Sequence, residues 1–512
     1  MTAQVPARPA PPPAATGQAA ASWQGWGPAL PVLALGLALL GLLFRAEAAA
    51  AVHTWTISTA YNHGWLVLPI ALWLGWARRE RLLALAPRPA PALALLAVPA
   101  GLAWLAAERM GIMEGRQFAA LGVLYALLLA VLGWRVCRAM AAPLAYLVFL
   151  VPFGAFAVPL LQAITAGIVE FGLSLTGIPH YVDALIIEIP EGTFYVAEAC
   201  AGLRFIIAAL AFGALYALVM FRSPGRRLVV MALAVAVPIL ANGLRALGLV
   251  LLGHYQGSAA AVEADHVLYG WVFFSLVILL LTLAGMPFRE DEPAAPGRAA
   301  PERRPAPSAQ PALAAAGAGL ALVLAASGPA VAALLDRRAG PPQTAAVRLV
   351  APLPCRAAAE DALQCVGATI SARVLVFPAA ANWDAVAAAR RGALGGMGDE
   401  DVTFDVPMGG GSAWRARQPP GGRGLAAAAV WLDGKLAGDG LRSRAAQALK
   451  AFGAGPGGRP VMVAVTLRPD GPPGDGMDAA RQRALFQAVL EAQGDGLAAR
   501  AATLSASGRS DP

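Results

Sequence analysis

Charge is what this chain has least of. Of its 512 residues, 14% are charged and 58% are hydrophobic, where an ordinary soluble domain carries about 25% charged residues. The deficit is concentrated before residue 336. That excludes an ordinary soluble fold there and points to a membrane protein. Lysine is nearly absent, and the net charge of +8 comes largely from arginines in short clusters between apolar runs. Such spacing belongs to loops between membrane spans, not to a nucleic-acid-binding face. Cysteine is also scarce: Cys137, Cys200, Cys355 and Cys365. Four are too few for a disulfide scaffold, and none has zinc-type spacing. Cys355 and Cys365 could pair if their domain lies outside the cytoplasm. No His-x-x-x-His or Glu-x-x-His pair falls on an apolar run, so neither a metal site nor another cofactor is expected.

What the chain does have is a series of apolar runs. Residues 1–22, rich in Pro and Ala, read as a disordered tail. The run 28–44 reads as an uncleaved first span, although Ala46-Glu47-Ala48 resembles a signal-peptidase site. Further runs lie at 64–77, 89–106, 118–134, 140–157, 201–221, 228–252, 267–286 and 312–335. Each approaches the roughly 20 residues that cross hydrocarbon. Basic loops give the orientation. Arg78, Arg79 and Arg81, then Arg135 and Arg138, then Arg222, Arg226 and Arg227, and finally Arg289, Arg298, Arg303 and Arg304 mark the inner side. Because the chain is inside at both Arg138 and Arg222, residues 140–200 must cross an odd number of times. The stretch 158–176 carries Gln162, Thr165 and Glu170, and it is read as an amphipathic helix on the outer surface. The expected fold is an all-α polytopic bundle of eight spans plus a ninth, with the N-terminus inside and the C-terminus outside. Within it, residues 23–288 form the bundle proper, 289–311 a Pro- and Arg-rich cytoplasmic linker, and 312–335 the additional span.

Residues 336–512 change character and are expected to form a small α/β or α+β domain outside the membrane. Strand-like runs stand at Ala372–Phe377, Ala426–Leu432 and Val461–Leu467. Helix-like runs stand near Trp383–Arg390, Leu441–Phe452 and Met477–Gln493. No catalytic motif stands out in this part.

Three polar residues stand at the outer ends of consecutive spans. Cys200 precedes one span, Arg245 lies near the end of the next, and His266 opens the one after. Polar groups beside lipid are costly and need a reason. A cysteine before a helix N-terminus has a lowered pKa and is a candidate nucleophile. His266 would serve as general base and then as general acid. Arg245 would stabilise an oxyanion or hold a carboxylate. Arg204 follows Cys200 by four residues and competes with Arg245 for that role. His254 is the rival base, and Asn242 a supporting residue. The bland readings are a packed cysteine, as Cys137 is taken to be, an interfacial histidine, and an arginine snorkelling to the headgroups. A short hairpin over residues 185–196, with Pro190 and Glu191 at its turn, leads into the cysteine.

At these residues the chain resembles the exosortase/archaeosortase family. The resemblance rests on Ala199-Cys200-Ala201-Gly202-Leu203-Arg204, on Asn242-Gly243-Leu244-Arg245, and on His266 with Gly270-Trp271. Tyr61-Asn62-His63-Gly64 and Leu161-Gln162-Ala163-Ile164-Thr165 add to it. The family commonly has Ser where Ala201 stands. The resemblance implies a cysteine transpeptidase or protease in a bacterial inner membrane, with Cys200, Arg245 and His266 as its catalytic groups. It implies protein substrates ending in a short, Pro-Glu-Pro-like motif, a transmembrane helix and a basic tail. It also implies transfer to an acceptor, polysaccharide or lipid-linked. The competing readings are a transporter or polysaccharide-export protein, which predicts an inverted repeat or broken spans, and a scaffold whose C-terminal domain does the binding.

Overall fold

The computed structural model describes residues 26–257, 266–290, 310–395, 402–409, 412–419, 424–438, 440–453, 458–471 and 477–507. The tail 1–22 and most of the linker 289–311 lie outside the described residues. The chain divides into two compact units. One holds Met1–Ala97 with Ala120–Val323, and the other holds Val98–Ala119 with Leu324–Pro512.

The first unit is helical. Its chain order is α1 (Ala29–Leu43), α2 (Arg45–Ile57) and α3 (Gly64–Trp76), then a hairpin of α4 (Ala97–Arg109) and α5 (Met113–Leu132), of which Val98–Ala119 belong to the other unit. There follow α6 (Ala141–Tyr146), α7 (Val158–Thr176), strands β1 (Tyr181–Asp183), β2 (Ile186–Ile189) and β3 (Gly192–Tyr195), then α8 (Leu203–Met220), α9 (Pro224–Gln256) and α10 (His266–Gly285). Large apolar side chains such as Leu35, Leu66, Leu72, Leu228 and Leu280 are exposed on it. A water-soluble surface does not tolerate patches of that extent, whereas lipid does.

Among the described residues, six helices are long and apolar enough to cross a membrane: Pro91–Arg109, Met113–Leu132, Ala155–Thr176, Leu203–Met220, Pro224–Gln256 and Pro311–Ala339. The pair α1–α2, bent by 75°, makes a seventh if taken as one span. The expected nine are therefore not reached among the described residues. Gly64–Trp76, Ala141–Leu150 and Val272–Phe288 are apolar but shorter. The run 140–157 falls short for a local reason. Pro152 removes a backbone donor and restricts the residue before it, and Gly154 takes φ +112°, which ends the helix. The break is tied down on one side, where Trp55 Nε1 donates to Leu150 O at 3.1 Å and Tyr61 Oη donates to Phe153 O at 3.2 Å.

The expectation of a surface helix at 158–176 also needs correcting. With its leading turn it forms a 22-residue helix of span-like apolarity. Gln162 and Thr165, the polar residues that suggested a surface, are 5% and 2% exposed. Thr165 meets Asn242 of α9 and Gln162 meets the Val196 carbonyl after β3, not water. The hairpin α8–α9 explains where they go. Gly213 meets Ala234 and Gly202 meets Asn242, so the two helices run antiparallel with Gly202 level with Asn242. At 1.5 Å per residue, the part of α9 beyond Asn242 reaches about 20 Å past the start of α8. The helix α7 packs along this extension, with Gly243 against Ile168 and Gly172 against Leu247. The expected hairpin forms as β2–β3, with β1 added as an antiparallel third strand. Ile187, Ile189 and Val196 close a small core with Ala166, Val169, Leu173 and Val250.

The second unit is an α+β domain. After α11 (Pro311–Ala339) come β4 (Gln343–Ala345), β5 (Arg356–Ala359), β6 (Ala362–Cys365), β7 (Ala368–Val376), α12 (Trp383–Ala393), β8 (Val402–Gly409), β9 (Ser412–Gln418), β10 (Leu425–Leu432), β11 (Lys435–Leu436), α13 (Leu441–Ala451), β12 (Val461–Pro469), α14 (Ala479–Ala492) and α15 (Gly496–Ala506). The sheet is antiparallel in the order β5-β6-β7-β12-β10-β9-β8. Phe486, Val489, Leu490, Leu497 and Ala501 of α14 and α15 pack on one face. Trp383 and Val386 of α12 pack on the other. Cys355 and Cys365 form a disulfide that clasps the edge pair β5–β6.

The tip of the α4–α5 hairpin is built into this domain. Arg109, fully buried, pairs with Glu108 at 2.5 Å and with Asp336 at 2.8 Å. Glu108 also accepts from Asn382 Nδ2 at 2.9 Å, and Arg444 donates to the carbonyl of Gly111 at 2.9 Å. The hairpin turn and the end of α11 therefore lie on the same side of any bilayer the helices cross, as the basic loops require. Removing one partner of a buried ion pair costs about 3–5 kcal/mol, because the other charge stays buried. Arg109→Ala is expected to lower the thermal midpoint of the purified protein by many degrees and to expose the C-terminal domain to protease. An unchanged midpoint and digestion pattern would contradict this docking.

Candidate active site

Between β3 and α8 the backbone makes a tight excursion. Ala197 is extended, Glu198–Ala201 form one 3₁₀ turn, and Gly202 caps α8 with φ +78°. A left-handed residue here favours glycine. Space demands it as well, since a Cβ at Gly202 would stand 2.6 Å from Asn242 Cγ. Cys200 sits in this turn, half-buried against the small core of α7 and the strands. No side chain caps the N-terminus of α8 beside it. The Phe205 and Ile206 N–H groups close onto the Gly202 carbonyl, and the positive end of the helix faces the turn, where it favours an anion, whether thiolate or oxyanion.

Two buried amides hold the turn. Asn242 Nδ2 donates to the Cys200 carbonyl at 2.8 Å and to Thr165 Oγ1 at 3.1 Å. Gln162 Nε2 donates to the Val196 carbonyl at 2.8 Å. Asn242 is 3% exposed, so these bonds are shielded from water and strong for their type. The sequence suggested Asn242 as a supporting residue but missed Gln162 and Thr165. Their signal in the sequence is polarity within an apolar run, which exposure and a buried partner explain equally well.

The two arginine candidates share an aromatic ring. The Arg204 guanidinium lies 5.0 Å from the Phe205 ring centre and that of Arg245 lies 5.8 Å from it. Arg245 is 2% exposed, one helical turn beyond Asn242 on the same face of α9. Arg204 is half-buried. The geometry therefore brings both guanidiniums to the start of α8 and leaves open which of them meets an oxyanion.

His266 is the first residue of α10, and its side chain lies outside the described residues. The backbone still locates its end of the helix. Phe274 packs on Phe205 with centroids 4.8 Å apart, and Tyr216 Oη donates to Thr282 O at 3.0 Å. Thus α10 runs parallel to α8, and its N-terminus lies at the same end as Cys200. His254 is engaged elsewhere. Its Nδ1 meets Glu191 Oε2 at 2.7 Å, at the tip of the β2–β3 hairpin. It stands nine residues beyond Arg245, about 13 Å along the helix axis. The other free thiol, Cys137, is buried, and burial pushes its pKa up to about 11. Burial and the raised pKa are in keeping with a packing role. Among the described residues, no group of three or more His, Cys, Asp or Glu is placed to hold a metal.

Cys200 is therefore the one accessible free thiol among the described residues, and its alkylation reports on the turn directly. Asn242→Asp keeps the shape but cannot donate to the Cys200 carbonyl, which leaves a buried acceptor unpaired at a cost of about 1–3 kcal/mol. Asn242→Asp and Gln162→Leu are each expected to change the rate of Cys200 alkylation by iodoacetamide, and its pH profile, while the protein remains in the membrane. Rates matching the parent in both variants would show that the amides do not position the thiol.

Residues 54–283, which include every element of this site, match the family described as transmembrane exosortase. Comparison with curated proteins and with solved structures finds no significant match.

Proposed function

We propose, for a chain that belongs over residues 54–283 to the transmembrane exosortase family, that Cys200 is the nucleophile of a membrane-embedded sorting peptidase. The family is one of cysteine transpeptidases acting within a membrane. The observation that carries the assignment to Cys200 is the turn itself: a half-buried thiol, its carbonyl held by Asn242, before an uncapped helix N-terminus with a buried arginine at the same level.

In this reading His266 takes the proton from the Cys200 thiol as the sulfur attacks the scissile carbonyl. The carbonyl π pair moves to oxygen, giving a tetrahedral oxyanion. Arg245, with Arg204 as the alternative, and the α8 N-terminus stabilise that charge. Collapse breaks the C–N bond, His266 returns its proton to the leaving amine, and a thioester remains on Cys200. An acceptor amine or hydroxyl then attacks the thioester, loses its proton to His266 and releases the thiolate.

The substrate would be an exported protein with a C-terminal motif, a transmembrane helix and a basic tail. The site would face outward from a bacterial inner membrane. Two observations favour that orientation. The Cys355–Cys365 disulfide suits an oxidising compartment, and the arginine-rich ends of α3, α8 and α9 suit the cytoplasmic side.

Co-expression with a tailed reporter tests the assignment. Cys200→Ala, Cys200→Ser and His266→Ala should abolish removal of the tail, and Arg245→Lys should slow it by roughly a hundredfold or more, as losing an oxyanion-hole donor does. All four proteins should still reach the membrane. Undiminished processing by Cys200→Ala would overturn the proposal.

A further inference from the structure

Away from Cys200, at the ends of α3, α8 and α9 that carry the arginines, the first unit holds a cavity of about 360 Å³. Arg78, Arg81, Arg222 and Arg227 line it, with Glu80 as the one carboxylate. The nearby carboxylate of Glu290 is taken up by the backbone N–H groups of Arg222 and Ser223 and by Arg226.

Two of the guanidiniums are held in place. Arg78 Nη1 donates to Leu74 O at 2.9 Å, and Arg227 Nε donates to Phe221 O at 2.8 Å. Both carbonyls belong to helix C-terminal ends, where acceptors are otherwise unpaired and the dipole favours a cation. A guanidinium fixed by one bond keeps further donors for a ligand and loses little freedom on binding it. The arginines also oppose one another. Burial first, and then the like charges of Arg81 and Arg227, hold Arg78 below the ordinary arginine range. A bound anion would relieve both effects. The rim is apolar and open: Trp73 is 53% and Val219 46% exposed, continuous with the lipid-facing side chains of the bundle.

We propose that this cavity binds the phosphate of an anionic phospholipid headgroup in the adjoining leaflet. The guanidiniums supply donors for the phosphate oxygens, and Trp73 and Val219 border the glycerol and the first acyl carbons. Basic pockets at the arginine-bearing face of other helical bundles work by the same physics. The proposal stands independently of the assignment at Cys200.

The test uses the full-length protein in neutral detergent. Its thermal midpoint is followed on adding phosphatidylglycerol, phosphatidylcholine or inorganic phosphate, since a bound ligand stabilises the folded state by mass action. Phosphatidylglycerol should raise the midpoint, and the other two should not. The shift should vanish in Arg78→Gln/Arg227→Gln. It should also vanish in Arg81→Gln/Arg222→Gln, which keeps both carbonyl bonds intact and guards against a folding defect. Arg135→Gln/Arg138→Gln, equal in charge change but exposed and outside the cavity, should respond like the parent. An equal shift in the Arg81/Arg222 variant, or an equal loss in the Arg135/Arg138 control, would overturn the site. A full shift with inorganic phosphate alone would overturn the lipid as its occupant.

Discussion

The bond from Asn242 Nδ2 to the Cys200 carbonyl, 2.8 Å long, joins the turn that carries Cys200 to the middle of a 33-residue helix. Much of the local sequence is shaped by the need to make it. Gly202 must lack a side chain so that the amide can approach. The helix α9 must outrun α8, so that its outer part offers a wall for α7 and the strands. Gly243 must let α7 come close, which brings Thr165 to the same amide. Loss of this bond would leave the turn to the Gln162 bond on Val196, to the Val196 N–H bond on Leu185 O and to the packing of Val196 and Cys200 on the small core.

Burying these polar groups is costly unless each finds a partner. Here they find one another, or the backbone of the turn. The result is a rigid support for a thiol that is itself only half-buried. Rigidity in the support and access at the sulfur are what a nucleophile needs, because positioning contributes to rate only if the reacting group is held near its attack geometry. Phe205 extends the arrangement. It carries Arg204 and Arg245 beside its ring and meets Phe274 of α10. One aromatic side chain thus relates three consecutive helices at the level of the site.

Much of this could be read in the sequence, but unevenly. Cys200 and His266 stand at the starts of α8 and α10, which share one end, whereas Arg245, expected near the end of its span, lies in the middle of α9 because that helix runs on past the start of α8. The strands read from the sequence correspond to β7, β10 and β12, which are the central strands of the sheet. Covered on both faces, β10 and most of β12 are continuously apolar, while β7 alternates apolar residues with Thr369, Ser371 and Arg373 and is legible through that period of two. The missed strands β5, β6, β8 and β9 lie towards the edges, where one face or one side is open and the pattern weakens. Span counting failed for a different reason. Hydropathy runs unbroken through residues 140–157, while Pro152 and Gly154 interrupt the backbone. Gln162 and Thr165 misled because polarity in an apolar run has two explanations, exposure or a buried partner. The partner, Asn242, lies 77 residues from Thr165, and no local pattern reveals it.

The most direct test of the account is to look for the covalent intermediate. The purified enzyme is mixed with a tailed substrate, quenched in acid and analysed by intact mass and peptide mapping. The account predicts a substrate fragment attached through a thioester to Cys200, released by neutral hydroxylamine and absent from Cys200→Ala. Processing that proceeds with no adduct under any quench, or an adduct carried on another residue, would contradict it.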